Sequence, residues 1–381
     1  MKLAYVITRA DAVGGATIHV RDLARAMRER GHDVTVLVGG RGPVTEQLED
    51  AGVRFRSLCH LARPVRPLRD LRALAELTAA LRDLQPGLVS THTAKAGWIG
   101  RAACARLGLT AIYTPHGWPV GERISAPAGA IFTLAERAAA RWSGAIICVS
   151  ESEKRLALSK RIAPEEKLRV VHNGVHDVAA SLRADPGRTP ARLCSVARFE
   201  SPKDHATLLR ALAALQSLAW ELDLAGDGPL EASTRTLAAE LGIAARVRFL
   251  GYQRDPAATL AAAQLFVLSS RSEGFPRSVL EALRAGLPVV ASDVGGVAEA
   301  VTEGGNGVLV PAGNAKALSA ALGSMLEDAS RRVRMGQAAR ATYEARFRAE
   351  QMIEKTASVY ASVLSRTSRT QSCIQGDVPV D

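Results

Sequence analysis

Aromatic residues make up only 4% of this 381-residue chain. Cysteine occurs at 59, 104, 148, 194 and 373, with no CxxC pair and no metal-like spacing. That scarcity excludes a disulfide framework and a zinc-finger or thioredoxin-type motif, and buried, reduced thiols are expected. Long hydrophobic runs are missing too. AGAIFTLA and LFVL fall far below the roughly 20 residues that span a bilayer. The opening MKLAYVITRADAVGG lacks a signal-peptide pattern, and its apolar run reads as a short strand. No Asp-x-Asp occurs anywhere, so the usual acidic seat for a metal-bound diphosphate is absent, and no metal site is expected. No GxGxxG dinucleotide fingerprint occurs. No helix-turn-helix or RNA-binding signature is present, which with so few aromatics argues against nucleic acid as a partner.

Positive charge is what the chain has in excess. Net charge is +11, and residues 1–185 hold 27 Lys+Arg against 18 Asp+Glu, while the rest holds 22 against 20. The segment RFRSLCHLARPVRPLRDLR sets Arg54, Arg56, Arg63, Arg66, Arg69 and Arg72 against the single acid Asp70. A basic first half suits an anionic partner, such as a phosphorylated substrate or an anionic membrane surface.

Hydrophobic patterning divides the chain. Buried-type strands such as LAYVIT, DVTVLVG, LVSTH and AIICVS alternate with helices through residues 1–178. Such alternation predicts an α/β fold with a doubly wound parallel sheet. Residues 179–190 are small, polar and Pro-containing and read as a linker. The pattern restarts over 191–365, with RLCSVAR, WELDLAGDG, RVRFLG, QLFVLSS and PVVAS as strands. The last helix is expected to pack back on the first domain, with a disordered tail at 366–381. Two tandem Rossmann-like domains imply a cleft between the C-terminal edges of their sheets.

Several loops at predicted strand ends carry chemistry. Gly14 and Gly15 sit between the first strand and first helix, where backbone N–H groups can approach a phosphate. In SVARFESPKDHA, Arg198 ends a strand and Lys203 precedes a helix; two such cations can clamp a diphosphate without metal. In YTPHGWP, His116 ends a strand and can hydrogen-bond a sugar hydroxyl or a developing charge. The stretch SEGFPRSVLEALRAGLPVVAS places Glu273 in a turn and Glu281 one turn into a helix. Gly274 allows close backbone approach there. Helical side chains lean toward the N-terminus, so the Glu281 carboxylate can face the same mouth. An ionised carboxylate only accepts hydrogen bonds, which suits the vicinal hydroxyls of a ribose or sugar. Gly-Asp-Gly at 226–228 reads as a turn.

This combination resembles the retaining GT-B glycosyltransferases of family 4. SEGFPRSVLE matches the family's E-x7-E pattern, VARFESPKD its Arg…Lys element and AVGGATIHV its N-terminal glycine loop. THTAKAGWIGRAA with YTPHGW resembles the branch that builds capsular, exopolysaccharide and O-antigen units. The resemblance implies that Arg198 and Lys203 bind the donor diphosphate and Glu281 the nucleotide ribose. It implies that Glu273, with the backbone of Gly274 and Phe275, contacts the donor sugar, and that His116 lies near that sugar. Gly14 and Gly15 would face phosphate or acceptor. One departure is Asp204 after Lys203, where many relatives carry Gly. The implied partners are a nucleotide diphosphate sugar, with UDP favoured over GDP, and a lipid-linked saccharide acceptor. No cofactor is implied, and the location is cytoplasmic, peripheral at the inner membrane face. Nucleotide-sugar 2-epimerases share the architecture and are the rival reading, separated by turnover without acceptor. A glycosidase using two carboxylates and a non-catalytic nucleotide-sugar-binding subunit are further alternatives.

Overall fold

The computed structural model describes residues 1–118 and 126–375, and the side chains of 1–118 and 127–366. Its contacts divide into two units, Met1–His172 with the chain from Ile353 onward, and Asn173–Met352.

The first unit holds β1 (Lys2–Ile7), β2 (Asp33–Gly39), β3 (Arg54–Leu58), β4 (Leu88–His92), β5 (Ala111–Thr114), β6 (Ala145–Cys148) and β7 (Leu168–Val170). Among the described residues they form one sheet ordered β3-β2-β1-β4-β5-β6-β7, parallel throughout. Leu3, Ala4, Tyr5, Val6 and Ile7 are all buried. A parallel strand covered by helices on both faces demands such an unbroken apolar run. Asn173–Met352 contains β8 (Ala191–Val196), β9 (Trp220–Ala225), β10 (Val247–Gly251), β11 (Leu265–Leu268), β12 (Val289–Ser292) and β13 (Gly307–Val310). Their order is β10-β9-β8-β11-β12-β13, again parallel. Each order reverses direction once, between β1 and β4 in one unit and between β8 and β11 in the other. The two doubly wound sheets are the fold expected from the alternating pattern. The strand GVLV of β13 escaped the sequence reading, because four residues between glycines carry little period.

The stretch 179–190, read from sequence as a linker, is bonded to the second unit. Arg332, fully buried, donates from Nε to the Pro186 carbonyl at 2.9 Å and from Nη2 to the Arg188 carbonyl at 3.0 Å. Nearby, Asp177 takes both guanidinium arms of Arg340 at 2.6 and 2.7 Å. The final helix runs Ala349–Gln375, into the stretch expected to be disordered; residues 376–381 lie outside the described residues. From Ile353 on it belongs to the first unit, where the Tyr360 hydroxyl donates to Ser90 Oγ at 3.0 Å. No helix among the described residues is long and apolar enough to cross a membrane.

Candidate active site

Where strand order reverses in an open parallel sheet, the loops leaving the two flanking strands diverge and leave a crevice at the strands' carboxyl ends. In the second unit the flanking strands are β8 and β11. The loop after β8 carries Arg198 and Lys203, and the loop after β11 carries Glu273 and Gly274. Backbone bonds tie the loops together: the Asp204 amide donates to the Ser269 carbonyl at 2.7 Å, and the Arg271 amide to the Pro202 carbonyl at 3.0 Å. The side chains then meet. Lys203 Nζ donates to a carboxylate oxygen of Glu273, with the two side chains only 20% and 10% exposed. Asp204, the departure noted from sequence, has a local task. Its carboxylate accepts from the Thr207 amide at 3.2 Å and hydroxyl at 2.7 Å, capping helix His205–Ala213. A side-chain oxygen at that position satisfies a donor the helix start leaves over.

Arg198 lies 3.5 Å from Glu200 and 3.7 Å from Asp227. The Gly-Asp-Gly turn explains how the loops fit. A Cβ on Gly226 would lie 2.1 Å from the Ala197 carbonyl oxygen, and one on Gly228 2.5 Å from that of Phe199. Only glycine lets this turn press against the loop that carries Arg198. Similarly, a Cβ on Gly295 would lie 1.8 Å from the Glu273 carbonyl oxygen, at a φ of +57°. The Glu273 turn therefore rests on the glycine pair after β12, and the Gly296 amide donates to the Gly274 carbonyl at 2.9 Å. The Phe275 carbonyl accepts from Asn173 Nδ2 at 2.8 Å, while its ring is buried 5.5 Å from that of Phe347. Helix Arg277–Ala285 follows, with Glu281 half-buried one turn in.

In the first unit the reversal lies between β1 and β4. Gly14 caps helix Gly15–Glu29, its amide donating to Thr17 Oγ1 at 2.9 Å. That amide is thus engaged within the helix start, and no atom lies within 4 Å of where a Gly14 Cβ would stand. His116 follows β5 at a φ of +55°, a conformation that side chains other than glycine seldom adopt and that clusters at functional sites. In the structure its Nε2 lies 3.0 Å from His92 Nδ1, at the end of β4, and its ring lies 4.7 Å from that of His19. His92 and His19 are buried and His116 half-buried. Burial, with His116 adding to it, pushes the His92 imidazole well below its usual range, so it stays neutral.

Two family descriptions match the chain in series. Residues 13–178 match "Glycosyltransferase Family 4" and residues 182–342 match "Glycosyl transferases group 1". The chain belongs to the GT-B glycosyltransferases. The N-acetyl-alpha-D-glucosaminyl L-malate synthase of Bacillus anthracis is 25% identical, over 96% of this chain and 98% of that protein. The Escherichia coli UDP-Gal:alpha-D-GlcNAc-diphosphoundecaprenol alpha-1,3-galactosyltransferase is 25% identical over 69% of this chain and 72% of its own. Among solved structures, Anabaena Alr3699/HepE, crystallised with UDP and glucose, superposes with a TM-score of 0.82. It is 22% identical and covers 95% of this chain and 100% of its own.

Within this glycosyltransferase the sequence-read residues gather at two places. Arg198, Lys203, Glu273, Gly274 and Glu281 sit on loops and a helix beside the β8/β11 reversal, and Gly14, Gly15 and His116 on elements beside the β1/β4 reversal. Sequence reasoning missed Gly295, Gly296, Asn173, His19 and His92. The glycine pair had a signal, since VASDVGG repeats after β12 the strand–glycine pattern that follows β1. His19 and His92 had none, because each is a single histidine whose partners lie far away in sequence. Chemically, the second unit offers paired charges to an anion and a polyol, and the first offers a cluster of imidazoles.

Proposed function

We propose that this glycosyltransferase moves a hexose-type sugar from a nucleotide diphosphate donor, UDP in preference to GDP, onto a lipid-linked saccharide with retained configuration. The observation that carries the reading is the Lys203–Glu273 contact at the reversal between β8 and β11. It supplies a cation for a diphosphate and a carboxylate for sugar hydroxyls from two adjoining loops. An arriving diphosphate replaces Glu273 as the partner of Lys203 and takes Arg198 as its second cation. The carboxylate of Glu273 turns to the sugar, with Gly274 and Phe275 beside it, and Glu281 holds the ribose. As the bond from the anomeric carbon to the diphosphate breaks, the two cations stabilise the leaving charge in place of a metal. The acceptor oxygen bonds to that carbon on the same face, and its proton passes to the departing phosphate oxygen, so no protein base is required. His116 serves the sugar during transfer, and the helix start at Gly14 and Gly15 faces acceptor or phosphate.

The lipid-linked acceptor draws support from the Escherichia coli relative, whose name includes a diphosphoundecaprenol acceptor, and from a surface of the first unit. Val65, Leu68 and Leu71 are 63%, 79% and 63% exposed. Arg63, Arg66 and Arg72 stand exposed among them. The other basic residues of that segment are committed within the fold. Arg54 pairs with Asp33 and Arg56 with Asp83, and Arg69 donates to the carbonyls of His60 and Cys59. Exposed apolar side chains interleaved in sequence with exposed arginines suit the headgroup region of an anionic cytoplasmic membrane face.

The test offers UDP-, GDP-, ADP- and dTDP-sugars with a short-chain polyprenyl diphosphate-linked saccharide. The expected product is longer by one sugar, whose anomeric configuration by NMR matches the donor, and EDTA leaves the rate unchanged. Inverted configuration, or isomerised nucleotide sugar without acceptor, would overturn the proposal.

A further inference from the structure

His19, His92 and His116 converge from three elements of the first unit. His19 lies in helix Gly15–Glu29, His92 ends β4 and His116 follows β5. One ring nitrogen from each lies within 4.8 Å of the other two. We propose that these three histidines form a binding site for a divalent transition metal, zinc foremost.

The donor set decides the class of ion. Three imidazoles with no carboxylate among them suit zinc, copper or nickel and offer little to magnesium or calcium. Zinc–nitrogen bonds of roughly 2.0–2.1 Å in a tetrahedron set the ligand atoms about 3.3 Å apart. The His92 Nδ1 to His116 Nε2 distance of 3.0 Å is already near that edge. Ring centroids stand 4.7, 5.3 and 5.7 Å apart, a triangular arrangement rather than a line. Closing the remaining gap is a small movement of His116, which is half-buried and followed by Gly117 at a φ of +113°. The outer shell is in place as well. The second ring nitrogen of His92, Nε2, lies 3.0 Å from Ser90 Oγ, which itself accepts from the Tyr360 hydroxyl at 3.0 Å. Such a contact fixes the tautomer and orientation of a ligating imidazole. With three protein ligands, the fourth position stays open to water or a substrate oxygen. Such an ion plays no part in holding the donor diphosphate, and it ties up His116. Zinc therefore inhibits transfer, a consequence that rests on the role proposed for His116.

The experiment titrates the chelator-stripped, full-length protein with zinc against a chromophoric competitor, and with cobalt(II) read by its visible spectrum. The parent is expected to bind one zinc per chain and to give the intense visible bands of tetrahedral cobalt. His19→Ala and His116→Ala should each weaken zinc at least about tenfold, since even outer-shell losses cost 10–100-fold, and should abolish those bands. Thermal unfolding of each variant serves as the control for folding. Absence of stoichiometric zinc in the parent, or equal affinity in a folded His19→Ala, would overturn the site and show a plain imidazole hydrogen-bond cluster. Stoichiometric zinc that leaves transfer unaffected supports the site and removes His116 from the reaction instead.

Discussion

The two units share a topology but fill the same position with opposite chemistry. At the β8/β11 reversal stand Lys203 and Glu273 in direct contact, with Arg198, Glu200 and Asp227 beside them. At the β1/β4 reversal stand a glycine-capped helix and His92 packed between the rings of Tyr5 and His116. Charges left at a strand end can exchange partners with an ionic ligand. Imidazoles set beside one another act by direction, accepting or donating one bond at a time. The comparison teaches that a doubly wound sheet supplies a crevice, and the loop residues decide which chemistry stands in it.

The largest expected effect breaks the charged side of that comparison. Arg198→Ala should lower transfer by about 10²–10³-fold, the usual cost of removing one donor to a developing negative charge. Initial rates with saturating donor measure it, and an unchanged rate would remove the cation clamp.

Next comes a histidine on the charged side. His205 opens the helix after Lys203, and its ring stacks 4.4 Å from Phe199. Burial, helped by Lys203, lowers its pKa from 6.5 to about 4. The folded state therefore resists a proton that the unfolded chain accepts. Above pH 6.5 the group costs nothing. As pH falls from 6.5 to about 4, stability drops, by up to about 3 kcal/mol in all. Below that both states are protonated and the slope ends. Denaturant unfolding of the parent and His205→Gln across this window checks it, and the variant should lack the slope.

A sharper cut separates the two carboxylates. Glu281→Gln should weaken UDP by roughly 1.5–3 kcal/mol, or about ten- to over a hundredfold, for one charged hydrogen bond to ribose. Glu273→Gln should leave UDP affinity intact or improve it, because Lys203 loses its internal competitor, while transfer falls sharply. Calorimetry alongside rates decides; equal weakening of UDP by both would end the division of labour.

These predictions rest on residues of uneven legibility. Arg198, Lys203 and Glu273 could be found because each lies in a loop after a strand that an apolar run marks, and Glu281 because it stands one turn into the helix that follows. The Lys203–Glu273 contact could not, since it spans 70 residues and exists only because β8 and β11 are neighbours. The histidine cluster is harder still, drawing single residues from a helix, a strand end and a loop. Residues 179–190 looked like a linker because the partners that hold them, Arg332 above all, lie more than a hundred positions away. Periodicity reports which face of an element is buried, and it is silent about which side chain arrives from elsewhere.

The smallest effect belongs to the surface. Arg63, Arg66 and Arg72 changed together to Ser should weaken co-sedimentation with anionic vesicles by about 1 kcal/mol per residue at most. Added salt should weaken the parent in the same way. Equal binding to neutral and anionic vesicles would refute the docking face.

The central claim is that the charged crevice binds the nucleotide while the imidazole cluster serves transfer. Calorimetric titration of UDP into Lys203→Ala and His116→Ala tests it most directly. Lys203→Ala should weaken UDP by at least about tenfold, the loss of one charged hydrogen bond, and His116→Ala should bind UDP as the parent does while transferring sugar slowly. A His116→Ala variant that lost UDP affinity yet kept its turnover, or a Lys203→Ala variant that bound UDP unchanged, would contradict the account.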